Sequence, residues 1–218
     1  MFSITPYVAL NDLDKKLECY FPTLRNGFFV ETGAHNGMDQ SNTYYFEGAK
    51  DWTGILIEPI PSLAVQCKRN RPCCITVNTA LSSYEYCSTH TTIEMTACGL
   101  MSLVEGAMGS AEKDQAHIAA GEQCQNIKAN KITVPVATLD NVLDLYKVQN
   151  KQIDLFSLDV EGYELEVLKG FSIEKYEPQY VLIETRNKDL LDEYMISKKY
   201  KFITLLSYHD ALYIPNKD

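Results

Sequence analysis

Four acidic positions sit where apolar runs end, and each is placed to do chemistry. The run Phe28-Phe29-Val30 ends at Glu31, and Gly54-Ile55-Leu56-Ile57 ends at Glu58. Further on, the run over residues 153–158 is closed by Asp159-Val160-Glu161-Gly162, and Tyr180-Val181-Leu182-Ile183 ends at Glu184. Between the first two acids lie Gly33-Ala34-His35-Asn36-Gly37 and a helix-like segment. Strand, glycine turn, helix, strand, acid is how an open α/β sheet grips a nucleoside. Glycines let the backbone approach a ligand, and the second acid accepts hydrogen bonds from ribose hydroxyls.

The elements that must position these acids follow from the pattern. Asn11-Asp12 can cap a first helix to about Tyr20, within an N-terminal helical segment over residues 1–26. Ser41-Asn42 precede Tyr44-Tyr45-Phe46, and Pro59 and Pro61 open a helix over residues 62–70. A short strand at Ile75-Thr76-Val77 leads to Ala80-Leu81-Ser82. Residues 88–131 lack a clean period and are rich in Thr, Ala, Gly, Met and Gln. They read as an excursion, either a lid or a hairpin, where an acceptor binds. Order resumes at Ile132-Thr133-Val134-Pro135-Val136, then at a helix capped by Thr138. Residues 200–206 and 211–214 read as a closing antiparallel pair. Strands alternating with helices imply a mostly parallel sheet wrapped on both faces, in one domain over residues 1–218.

Composition excludes several classes. A net charge of −9 repels phosphate backbones, so nucleic acid is not the expected partner. Lys68, Arg69 and Arg71 form the only tight basic cluster and read as a solvated helix end. Seven cysteines without CxxC or Cys/His ligand spacing read as reduced thiols in a cytoplasmic, reducing compartment, not a zinc site. No apolar run approaches the ~20 residues of a membrane span, and the N-terminus does not read as a secretory signal. Composition leaves open whether the chain is one module of a longer protein, and says nothing of its oligomeric state.

The glycine pair is spaced GxxxG. The GxGxxG that encodes a tight pyrophosphate turn is absent, which favours S-adenosylmethionine over a dinucleotide and disfavours a nicotinamide-dependent oxidoreductase. On this reading Glu31 holds the methionine ammonium, directly or through water, and the backbone of Gly33, Ala34, His35, Asn36 and Gly37 lines the methionine portion. Glu58, followed by Pro59, takes the ribose hydroxyls, and Ala80, Leu81 and Ser82 meet the adenine edge. Ser41 and Asn42 either contact the cofactor carboxylate at a helix start or act as caps.

Two ordered blocks resemble the FkbM family of S-adenosylmethionine-dependent methyltransferases. FVETGAHNG and SNTYYFEGAKDWTGILIEPIP are similar to its first motifs, with a KRNR element at Lys68–Arg71. VPVATLD followed by IDLFSLDVEGYELEVLKG is similar to its second hallmark, and residues 180–184 to its next strand. The likeness spans about Gly27 to Arg186, with the excursion poorly matched. Glu31-Thr32 stands where many relatives carry an Asp and an aliphatic residue. The resemblance implies a Rossmann-like class I methyltransferase fold with a seven-stranded, mostly parallel sheet. It also implies cofactor at the carboxyl ends of the strands and O-methylation of a sugar, glycan or natural-product hydroxyl.

A hydroxyl acceptor needs a general base or a metal. Asp159 is the leading base, and it also borders the cofactor's methyl. Glu161 binds the acceptor or assists. The bland reading of Glu161 is a helix start, where negative charge is favourable. Asp159, Glu161 and Glu184 could also gather a divalent cation such as Mg. His90 and His117, in the excursion, and Glu184 are the candidate substrate contacts. His209 reads as structural, and Trp52 as a packing residue. A cofactor-binding scaffold without turnover is the rival reading, and the intact Asp159-Val160-Glu161-Gly162 block argues against it.

Overall fold

In the computed structural model, which describes residues 6–217, short β-rich runs alternate with short helices. In chain order these are α1 (Leu13–Glu18), β1 (Phe28–Thr32), α2 (Tyr44–Lys50), β2 (Thr53–Ile57), α3 (Pro61–Asn70), β3 (Ile75–Val77), β4 (Ala80–Leu81) and α4 (Tyr84–Thr89). There follow β5 (Thr92–Ala97), β6 (Leu103–Val104), α5 (Ala111–Gln125), β7 (Asn130–Ala137), α6 (Leu139–Leu145), β8 (Leu155–Leu158) and α7 (Glu164–Leu168). The chain closes with α8 (Ile173–Tyr176), β9 (Tyr180–Glu184), α9 (Lys188–Ser197), β10 (Tyr200–Leu205) and β11 (Asp210–Pro215). Residues 1–5, which head the segment read as non-secretory, and residue 218 lie outside the described residues.

Seven strands form one sheet in the order β10-β11-β9-β8-β1-β2-β3. β3, β2, β1, β8 and β9 are parallel, and β11 runs antiparallel between β9 and β10. β1 is central and buried along its whole length, as a strand covered on both faces must be. Alternate residues feed opposite layers. Val30, Ile55, Leu158 and Ile183 enter one core cluster, while Phe29, Leu56, Leu155 and Leu182 enter the other. Strand order reverses between β1 and β8, and the crevice outside their carboxyl ends is where such sheets take ligands.

The excursion is the main departure from expectation. Residues 88–131 are more than a bare hairpin: β5 and β6 pair antiparallel, and α5 follows. Ile132–Val136 falls in β7, which joins a second sheet of order β4-β7-β5-β6 rather than the parallel one. The physical reason is visible in β7 itself. It is mostly exposed or half-buried, with Val134 its one fully buried residue, and Pro135 offers no backbone donor. A central parallel strand tolerates neither feature.

The first helix also differs. Asn11 and Asp12 adopt left-handed conformations in a 3-10 turn and do not cap it. Asp14 accepts instead from the backbone N–H of Val8 (2.7 Å) and Ala9 (3.1 Å). Other expectations hold. Thr138 caps α6 by accepting from Asn141 N–H, and β10 and β11 form the antiparallel pair. All seven cysteines are free, and among the described residues no helix is long and apolar enough to cross a membrane.

Trp52 is 1% exposed, packs edge-on against Phe21 and tilted against Phe46, and donates from Nε1 to the Leu24 carbonyl at 3.2 Å. Truncating so large a buried ring leaves a cavity. Trp52→Ala is expected to destabilise the fold by ~3–5 kcal/mol in a urea titration, and a loss under ~1 kcal/mol would contradict this packing role.

Candidate active site

One cavity of about 680 Å³ opens at the carboxyl ends of β1, β2, β8 and β9, within the usual span of ligand pockets. Its walls carry acids from all four strand ends. One face is closed by the excursion through Met101, His117 and Gln125, and Leu10 and Leu13 border it from the N-terminal segment.

The floor beside β1 is organised by a buried cation. Arg71 is completely buried, not part of a solvated helix end. Its guanidinium donates from Nε to Glu47, from Nη1 to the Gly37 carbonyl at 2.9 Å and from Nη2 to Thr43 Oγ1 at 3.0 Å. Nη1 lies 3.9 Å from Glu31 Oε2. Burial opposes the charge of Arg71, but Glu31 and Glu47 outweigh it and raise its pKa. A fully buried guanidinium persists only with such partners.

Glu31 is consequently committed within the protein. Its carboxylate accepts from Ser41 Oγ (2.9 Å), the Asn42 N–H (2.8 Å) and Thr43 Oγ1 (2.5 Å). Ser41 Oγ in turn accepts from the N–H groups of Thr43 and Tyr44. The anion at this helix start is therefore the chain's own Glu31, and Ser41 acts as a local cap. Asn42 differs. Its Nδ2 donates to Ser157 Oγ at 3.0 Å, but its buried Oδ1 has no partner.

The glycine turn departs from β1 with Gly33 at φ +77°. A Cβ there would fall 1.8 Å from the Asp159 carbonyl oxygen. Gly33 is thus required by the contact between the ends of β1 and β8, not only by a ligand. Gly37, at φ +81°, leaves room for Arg71 and Cys67. Gly33, Ala34 and His35 line the cavity, while Asn36 and Gly37 do not. Asn36 Oδ1 accepts from the N–H of Met38 and Asp39, closing the turn. His35 Nδ1 is buried without a partner.

Glu58 ends β2 with its carboxylate 4% exposed and facing the cavity. It accepts from the N–H of His35 and of Ile60, each at 2.8 Å. Burial pushes its pKa up to about 7 against those two donors. Each oxygen keeps a free lone pair for a further donor.

Asp159, Glu161 and Glu184 converge on the opposite wall, with ligand oxygens within 4.8 Å of one another. Burial, then Glu184, raises Asp159 well above the carboxylate range. Burial and Glu184 push Glu161 up to about 7 against the opposing charge of Arg186. Glu161 does not begin a helix. It takes a left-handed conformation (φ 55°) three residues before α7. Arg186 Nη2 lies 2.7 Å from Glu161 Oε2 and 3.6 Å from Glu184 Oε1. His117, from α5, places Nε2 3.3 Å from Glu161 Oε2. His209 Nδ1 lies 3.5 Å from Glu184 Oε1.

Most expected site residues therefore share one cavity: Pro59, Ala80 and Leu81 line it too. Besides Asn36 and Gly37, two more do not reach it. Ser82 is fully buried against the Tyr163 hydroxyl at 3.1 Å, and His90 stacks on Tyr86 at a separate shallow groove. Reasoning from sequence missed Arg71, Ser157, Tyr163 and Arg186. The one usable signal was Arg186, two residues beyond a strand-ending acid.

A parallel sheet with one reversed strand, a glycine turn after β1 and an acid at the end of β2 define a class I S-adenosylmethionine-dependent methyltransferase. The sequence matches the methyltransferase FkbM domain over residues 31–203, and the chain belongs to that family. Curated protein sequences give no match. Similar solved structures include a TehB-like SAM-dependent methyltransferase from Corynebacterium glutamicum ATCC 13032 Kitasato, at 9% identity and TM-score 0.44 over 93% of this chain and 86% of that one. A human methyltransferase 10 domain containing protein is 9% identical with TM-score 0.46, over 94% and 83%. Likeness that distant says nothing of substrate.

The residues fit the cofactor. Glu58 keeps free lone pairs in the cavity, and Asn42 and His35, each with a buried polar atom that lacks a partner, line it as well. Removing the buried cation beneath that wall leaves Glu31 and Glu47 unpaired. Arg71→Met is expected to cost ~3–5 kcal/mol in chemical denaturation, and an unchanged midpoint would contradict the network.

Proposed function

We propose that the chain transfers a methyl group from S-adenosylmethionine to a hydroxyl oxygen of a sugar, glycan or related small molecule. One observation carries the reading: the carboxyl groups of Asp159, Glu161 and Glu184 face the same cavity as the Gly33 turn and Glu58. The cofactor supplies an activated methyl on a sulfonium. The residues have three tasks: to bind it, to align the acceptor and to take up a proton.

Glu58 receives the ribose hydroxyls on its free lone pairs, and Ala80 and Leu81 meet the base. Asn42 Oδ1 receives the ammonium, because Glu31 spends its oxygens on residues 41–43. Alignment of the two reactants can lower the barrier by ~7–11 kcal/mol. With the positive charge of the bound sulfonium favouring its ionised form, Asp159 takes the hydroxyl proton, and such a base contributes ~10²–10⁴-fold. Free thiols throughout fit a reducing, cytoplasmic compartment.

Release of S-adenosylhomocysteine against monosaccharide and glycan panels tests the reading. Asp159→Asn is expected to lower kcat about 100-fold or more while cofactor Kd changes less than about 3-fold. Cofactor binding without turnover on any hydroxyl acceptor would favour the scaffold reading.

Glu58 gives a second test. Its folded pKa is raised above the unfolded value, so the cofactor-free protein holds an extra proton between about pH 4.5 and 7 and loses stability as pH rises through that window. Hydroxyl donors favour the ionised form. Cofactor affinity is therefore expected to rise about tenfold from pH 6 to pH 8 by calorimetry. Glu58→Gln should bind more weakly and flatten the profile, and a slope that survives the substitution would refute the assignment.

A further inference from the structure

Tyr208 is the most exposed large apolar side chain among the described residues, at 80%, yet it borders the active-site cavity. Its ring lies on that of His209, with centroids 3.8 Å apart and planes 31° apart. The turn that carries it is held from several sides. Thr185 N–H donates to the His209 carbonyl and Leu206 N–H to the Asp210 carbonyl, each at 2.8 Å. Ser207 Oγ accepts from the N–H groups of His209 and Asp210. Lys16 Nζ donates to the Leu206 carbonyl at 2.7 Å and fastens α1 to the same turn. An aromatic ring presented from so fixed a turn costs a ligand little to order.

Topology puts Tyr208 at the acceptor end. Asp210 is the register partner of Glu184 across β11 and β9. β9 lies on the side of β1 away from β2 and Glu58. His209, beside the ring, has Nδ1 3.5 Å from Glu184 Oε1. The ring therefore stands at the rim above Glu184, remote in the sheet from the ribose-binding acid.

We propose that Tyr208 is a stacking platform for a second sugar unit. The acceptor is a neutral glycan of at least two units: the terminal unit enters the cavity, and the adjoining unit packs on Tyr208 at the mouth. The C–H groups on a sugar face carry partial positive charge and meet the negative face of the aromatic ring, while the sugar's edge hydroxyls stay in water. A flat aromatic acceptor gains most when covered on both faces, and a ring 80% exposed offers cover on one. Three carboxyl groups inside, against the single guanidinium of Arg186, disfavour an acidic sugar. This subsite rests on the proposed methylation of a sugar hydroxyl and adds the length of the acceptor.

The full chain is assayed for S-adenosylhomocysteine release against methyl glycosides of glucose, galactose, mannose and fucose, and against matched disaccharides. For at least one sugar the disaccharide is expected to exceed the methyl glycoside about 5–10-fold in kcat/KM, chiefly through KM, as one aromatic contact allows. Tyr208→Ala should bring that ratio close to one, and Tyr208→Phe should keep it. Cofactor Kd of each variant reports folding, which the exposure of the ring leaves undisturbed. Equal turnover of both lengths in wild type, or a preference that survives Tyr208→Ala, overturns the platform while turnover itself keeps the methyltransferase reading. Cofactor binding without turnover of any sugar removes the platform, and turnover of another hydroxyl compound would then keep methyl transfer alone.

Discussion

A guanidinium sealed from water sets the geometry of the donor half. Arg71 touches α2 through Glu47 and Thr43, the glycine turn through the Gly37 carbonyl, and the end of β1 through its proximity to Glu31. Desolvating such a charge is costly, and the cost is met only when all of these partners are in place. The loop over residues 38–43 thus has one arrangement available to it. That arrangement leaves Asn42 Oδ1 buried without a partner on a residue that lines the cavity. A positively charged group just past the end of α3 thereby fixes the loop that carries Asn42, some 29 positions earlier in the chain.

The two walls of the cavity have opposite electrostatic logic. Around Glu31 every carboxylate oxygen has a donor and a nearby cation. Around Asp159 three acids share one guanidinium and two histidines, so burial and mutual repulsion raise Asp159 and Glu161. The first wall is finished and rigid. The second is short of positive charge, and that deficit is its chemical capacity: it takes up protons or cations. A methyl donor that arrives with its own charge suits such a site, because the protein need only align it and accept what the acceptor releases.

The cofactor half was legible in sequence because parallel strands buried on both faces leave continuous apolar runs, and their ends are marked by acids. β1, β2, β8 and β9 were readable for that reason, and so were Glu58 and Asp159. Arg71 was not. A basic cluster ending a helix has the same composition whether it is solvated or swallowed, and only the folded contacts with Glu31 and Glu47 separate the two. β7 misled because Ile-Thr-Val-Pro-Val has strand character without stating which sheet it joins. The role of Gly33 was half-read: its freedom was expected to serve a ligand, yet the nearest obstacle is the Asp159 carbonyl. Contacts between residues more than a hundred positions apart leave no local trace.

The small sheet of β4, β7, β5 and β6 hangs beside the main one and shares no strand with it. Together with α5 it is an exchangeable panel, entered after β4 and left at the end of β7. Lengthening or recolouring that panel alters what a visiting molecule meets without disturbing the strands beneath the donor. Divergence among relatives can therefore concentrate there, and a lineage can acquire a new acceptor while inheriting its adenosyl grip unchanged.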